Sequence, residues 1–71
     1  MTDLESFSHY IIDNGGEWYL IKDHKNYTWW GSIDINNVIL YQIFDEKEHR
    51  IFLTNDYNRA LNKFKNLIGE N

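Results

Sequence analysis

The chain contains no cysteine. That excludes a disulfide framework and any thiolate zinc site. Long apolar runs are also missing: the longest, such as Val38 to Tyr41, is four residues, against the roughly 18 that a membrane helix needs. The first residues, Met1-Thr2-Asp3-Leu4-Glu5, carry acids and lack the basic start and apolar stretch of a secretory leader. The expectation is a cytoplasmic protein with no membrane partner. Basic residues are scarce, with seven Lys and Arg against eleven Asp and Glu and a net charge of −4. A surface built to hold phosphates has the opposite balance.

Aromatic residues are plentiful, at 17% of 71 residues. So short a chain buries only about 60% of the surface its unfolded form exposes, and large rings supply apolar area that few residues otherwise provide. Apolar residues make up 42% and charged residues 25%, the balance of a soluble globular domain and not of a disordered segment. Residues 1–71 are read as a single α+β domain.

Residues 2–13 read as a helix. Thr2 and Glu5 match a capping box, Leu4, Phe7 and Ile11 form one apolar stripe, and Asn14-Gly15-Gly16 stops it. Four strands follow, at 17–23, 27–33, 38–44 and 49–53, with His24-Lys25-Asn26, residues 34–37 and the acidic residues 45–48 as turns. Connections this short require an antiparallel meander. Residues 55–68 form a second helix, with Tyr57, Ala60, Leu61, Phe64 and Ile68 on one face and Thr54 or Asn55 as its cap. The expected fold is α-β-β-β-β-α, a four-stranded antiparallel meander with both helices packed on one face.

Two short helices cover one face of such a sheet and little more. Yet the strands carry large apolar residues on both, so some of Trp18, Tyr19, Tyr27, Trp29, Trp30 and Tyr41 are expected on an open face. Charge is uneven as well. Residues 1–48 hold nine acids and three Lys, whereas residues 49–71 hold Arg50, Arg59, Lys63 and Lys65 against two acids.

No catalytic pattern stands out. His9, His24 and His49 lie singly on a helix, in a turn and at a strand start, without metal-ligand spacing. Ser6, Ser8 and Ser32 lack a nucleophile motif, and Gly15-Gly16 follows a helix instead of a strand, unlike a phosphate loop. The carboxylates of Asp45, Glu46 and Glu48 belong to a solvated turn. The expectation is a non-enzyme with no cofactor, metal or small-molecule substrate.

Trp29-Trp30-Gly31-Ser32-Ile33, with residues 55–64 downstream, resembles the WGR domain of poly(ADP-ribose) polymerases, which binds DNA ends. The match as a motif is Trp30-Gly31 alone, and Ser32 stands where that family has Arg. In size and character, without a shared motif, the chain is also similar to phage-borne inhibitors such as anti-CRISPR proteins and to small bacterial immunity proteins.

The leading functional expectation is a small acidic inhibitor that occludes a basic site on a larger protein, for which a nucleic-acid-handling enzyme is the natural target. Its partner surface is expected to combine Tyr27, Trp29 and Trp30 with Asp34, Asp45, Glu46 and Glu48. Glu46 and Glu48, at i, i+2, would stand about 6.6–7 Å apart on a strand, near the spacing of successive phosphates. The alternative is a nucleic-acid-binding module using Arg50, Arg59, Lys63 and Lys65 with exposed rings. A homodimer through the open face or an edge strand is compatible with either.

Overall fold

The computed structural model describes residues 2–70. The elements run α1 (Asp3–Asp13), β1 (Glu17–His24), β2 (Tyr27–Ile33), β3 (Ile39–Phe44), β4 (Arg50–Thr54) and α2 (Tyr57–Ile68). The strands form one antiparallel sheet in the order β1-β2-β3-β4. This is the expected α-β-β-β-β-α meander.

The two helices, however, lie on opposite faces of the sheet, not on one. Pleating sends adjacent strand residues to opposite sides. Trp29 packs with Ile43, Ala60, Phe64 and Ile68, beneath α2. Its neighbour Trp30 packs with Phe7, Ile11 and Phe44, beneath α1. In β3 the adjacent Ile43 and Phe44 divide in the same way, and both are fully buried. The surplus of apolar residues is therefore met by a helix on each side. Both indole N–H groups are buried without an acceptor among the described residues, a cost that the ring area offsets.

Local chemistry directs each helix to its face. Thr2 caps α1, its hydroxyl accepting from Glu5 N at 3.2 Å. After α1 the chain turns back tightly: Gly16 N donates to Ile11 O at 2.8 Å. A Cβ on Gly16 would come within 2.6 Å of Ile33 O, so only glycine fits there. The turn brings Phe7 edge-on to Trp18, with ring centroids 6.0 Å apart. The cap of α2 is Asp56, whose carboxylate accepts from Arg59 N at 3.1 Å, instead of Thr54 or Asn55. Thr54 is otherwise engaged, accepting from Asp56 N at 3.1 Å. At its other end α2 is held by Lys25, whose Nζ donates to Ile68 O at 2.7 Å, a cation placed on the negative end of the helix dipole.

Candidate functional site

Two hairpin loops of unrelated sequence share one construction. In the loop joining β2 and β3, Asp34 Oδ1 accepts from Asn36 N at 2.8 Å and Val38 N at 2.9 Å. In the loop joining β3 and β4, Asp45 Oδ1 accepts from Lys47 N and His49 N, both at 2.9 Å. Each loop closes through a left-handed residue three positions on, Asn37 and Glu48, both with φ of 64°. Asn suits that conformation and Glu does not. These two aspartates were expected as partner contacts. In the fold, one oxygen of each carboxylate supplies the acceptor that the turn's backbone leaves missing.

Glu48 is similarly engaged. Its Oε2 accepts from the Thr2 hydroxyl at 2.9 Å, and its carbonyl accepts from Leu4 N at 3.1 Å. Asp3 Oδ2 in turn accepts from Arg50 N at 2.8 Å. The first turn of α1 is thereby fastened to the β3–β4 loop. Glu46 and Glu48 lie in this loop and not on a strand, so the strand spacing expected to imitate successive phosphates does not arise.

The fastening gathers acids. Asp3, Glu5, Asp23, Asp45, Glu46 and Glu48 all lie at the end of the sheet marked by the β1–β2 and β3–β4 turns. Among the described residues no Lys or Arg reaches within 4 Å of a carboxylate oxygen, and the one ion pair is His49 to Asp45 at 4.0 Å. Of the two turn lysines, Lys25 is turned toward Ile68, and Lys47 lines the hollow with Asp45 and Glu46 without reaching ion-pair distance of a carboxylate. Asp23, Glu5 and Glu46 accept no side-chain hydrogen bond among the described residues and stand in solvent.

Tyr27 joins this end. With Asp45 and Glu46 it lines a hollow of about 400 Å³ between the two turns. With Leu4, Asp23 and Glu48 it lines another of about 260 Å³. Of the seven expected contact residues, the fold thus brings together Tyr27, Asp45, Glu46 and Glu48. Asp34 belongs to a different loop. Trp29 is only 1% exposed and is core, not surface, and Trp30 is half-buried under α1 and against Trp18 at 4.3 Å. The exposed aromatic ring on the sheet, among the described residues, is Tyr19; Tyr57 of α2 is exposed as well, and Tyr41 is half-buried like Tyr27.

The basic residues do not form one surface. Arg50 donates through Nη1 to buried Gln42 at 3.2 Å, on the face that α1 covers, because Gln42 pairs across from Trp30. Arg59, Lys63 and Lys65 lie on α2 on the other side, with Lys63 Nζ 5.8 Å from the Phe52 ring centre.

No protein-family model, curated protein or solved structure matches the chain. No helix among the described residues is long and apolar enough to cross a membrane. Sequence reasoning missed Asp3, Glu5 and Asp23 as members of the acidic end. The capping box marked Thr2, Asp3 and Glu5 as a helix start. Nothing in the sequence brought that start to residue 48.

Proposed function

We propose that the protein is a non-enzymatic interaction module that docks its acidic end on a basic site of a larger protein and occludes it. The observation that carries this reading is the gathering of Asp23, Asp45, Glu46 and Glu48 around Tyr27, with Asp3 fastened to the adjoining strand at Arg50 N and no Lys or Arg among the described residues within ion-pair distance of a carboxylate. Hydrogen bonds inside the fold hold Asp3, Asp45 and Glu48 in place. These rigid acids cost little ordering on association. Asp23, Glu5 and Glu46 carry the free charge that steers encounter. The half-buried ring of Tyr27 supplies an aromatic anchor of the kind found at binding hot spots. A nucleic-acid-handling enzyme fits as the target because its substrate groove is positive. The division of Arg50 from Arg59, Lys63 and Lys65 between two faces weighs against direct nucleic-acid binding.

The test is capture from cell lysate with the wild-type chain and with an Asp23→Lys/Glu46→Lys variant, beside a gel-shift assay on bare DNA and RNA. The reading expects a basic protein retained by the wild type, released by salt and lost by the variant. Equal retention by both chains refutes it, and so does a direct nucleic-acid shift at physiological salt.

A further inference from the structure

The other end of the α2 face is left uncovered, and its rings are tyrosines. β-Sheet register sets Tyr19, Gly31 and Tyr41 side by side on three adjacent strands, with Thr54 on the fourth. Tyr19 lies across Gly31: a Cβ there would sit 2.6–2.7 Å from its ring and hydroxyl. Its hydroxyl end therefore reaches toward β3 and Tyr41. Tyr57, the first residue of α2, meets Tyr41 nearly perpendicularly, with centroids 5.6 Å apart and planes at 79°. Its ring is backed by Trp29 at 5.3 Å. Tyr19 is 45% and Tyr57 48% exposed.

The charges beside this corner are acidic. Asp56 directly precedes Tyr57, and Glu17 shares the sheet face of Tyr19, two residues away. Tyr41 holds its proton above the ordinary phenol range, first through burial and then through Tyr19, Tyr57 and Asp56. The electron-rich faces of three rings beside two carboxylates attract a cation and repel an anion. The chain's own cations leave these faces free: among the described residues the one cation–π contact is Lys63 over Phe52. A second copy of the chain would set Asp56 and Glu17 against their like, and a nucleic acid would meet the same repulsion.

We propose that the Tyr19–Tyr41–Tyr57 corner is a second binding surface, separate from the acidic end, that takes an arginine side chain of a basic protein segment. The guanidinium lies on the tyrosine faces, because it is planar, weakly hydrated and stacks on aromatic rings, and Asp56 and Glu17 supply the counter-charge.

The experiment is a resonance titration of the Asp23→Lys/Glu46→Lys chain, which leaves the tyrosine corner intact and weakens the competing acidic end by reversing two of its exposed acids. The probes are a short Gly/Arg peptide and its citrulline counterpart, equal in shape and uncharged. The expected result is selective shifts of Tyr19, Tyr41 and Tyr57 with the arginine peptide alone. Tyr57→Ala and Asp56→Asn should each weaken binding about threefold or more, and asparagine keeps the helix cap. Gly31→Ala, which displaces the Tyr19 ring without removing it, should weaken it as well. Equal binding of the citrulline peptide overturns the proposal, as do shifts outside the corner, unchanged affinity in all three variants, or shifts that track chain concentration and reveal self-association. Because the acidic end carries the same two reversals in every chain compared and the readout is the three tyrosines, these outcomes do not depend on the proposed function.

Discussion

Trp29 and Trp30 are consecutive in β2, yet their rings belong to different cores. Trp29 sits 5.8 Å from Phe64 of α2, and Trp30 sits 4.3 Å from Trp18 on the side covered by α1. A 71-residue chain thus builds two small cores on one sheet in place of one larger core. Each helix seals its own; β1, β2 and β3 contribute to both, and β4 adds Phe52 to the α2 side.

That arrangement makes the two cores energetically separable. Ile11→Val, on the α1 side, and Ile68→Val, on the α2 side, should each cost about 0.5–1.5 kcal/mol. The double variant should equal their sum within about 0.5 kcal/mol, as for sites without shared partners. Denaturant unfolding of the three variants checks this. Phe64→Ala should cost about 3–5 kcal/mol, a large share of the stability of so small a domain.

The matching turns give a second prediction. Asp34→Ala removes the acceptor for two backbone amides and should cost about 1–2 kcal/mol, while Asp34→Asn keeps a side-chain oxygen and should cost less than about 0.5 kcal/mol. Asp45 should behave alike. Glu46→Ala, at a solvated position, should change stability by no more than about 0.5 kcal/mol. Thermal unfolding ranks the variants, and equal losses for Asp45→Ala and Glu46→Ala would remove the turn-capping role.

Alkaline titration tests the tyrosine corner in the free protein. Tyr41 ionises above the ordinary phenol value of 10.0, burial being the largest cause. A folded-state pKa raised above that of the unfolded chain contributes stability that is present below about pH 10 and lost as pH rises through the folded value. Phenolate absorbance should therefore include a component raised above the ordinary phenol value, and Tyr41→Phe should remove it. Stability should fall less steeply in the variant above about pH 10.

Much of the fold is legible in the sequence because its signals are local. Turn residues at 24–26, 34–37 and 45–48, β-rich segments between them and a clean helical stripe at 57–68 require no knowledge of distant contacts. The side of the sheet that each helix covers is not local. It depends on Gly16 packing against Ile33 and on the fastening of Thr2 and Leu4 to Glu48, contacts between segments far apart in the chain. The adjacent Trp29 and Trp30 posed the choice between an open face and cover on both sides, and helix cover on both sides is what the fold supplies. The acids Asp45, Glu46 and Glu48 were legible as exposed charge. Their division into Asp45 and Glu48, which hold structure, and Glu46, which is free, follows from backbone geometry that composition does not encode.

The central claim is that charge at the acidic end steers the protein onto a basic partner. The direct measurement is the association rate with the captured partner across a salt series, for the wild type and for the Asp23→Lys/Glu46→Lys variant. The account predicts association slower by about tenfold or more in the variant at low salt, with the gap closing as salt rises, and nearly unchanged folding stability. Equal association rates at every salt concentration would contradict it.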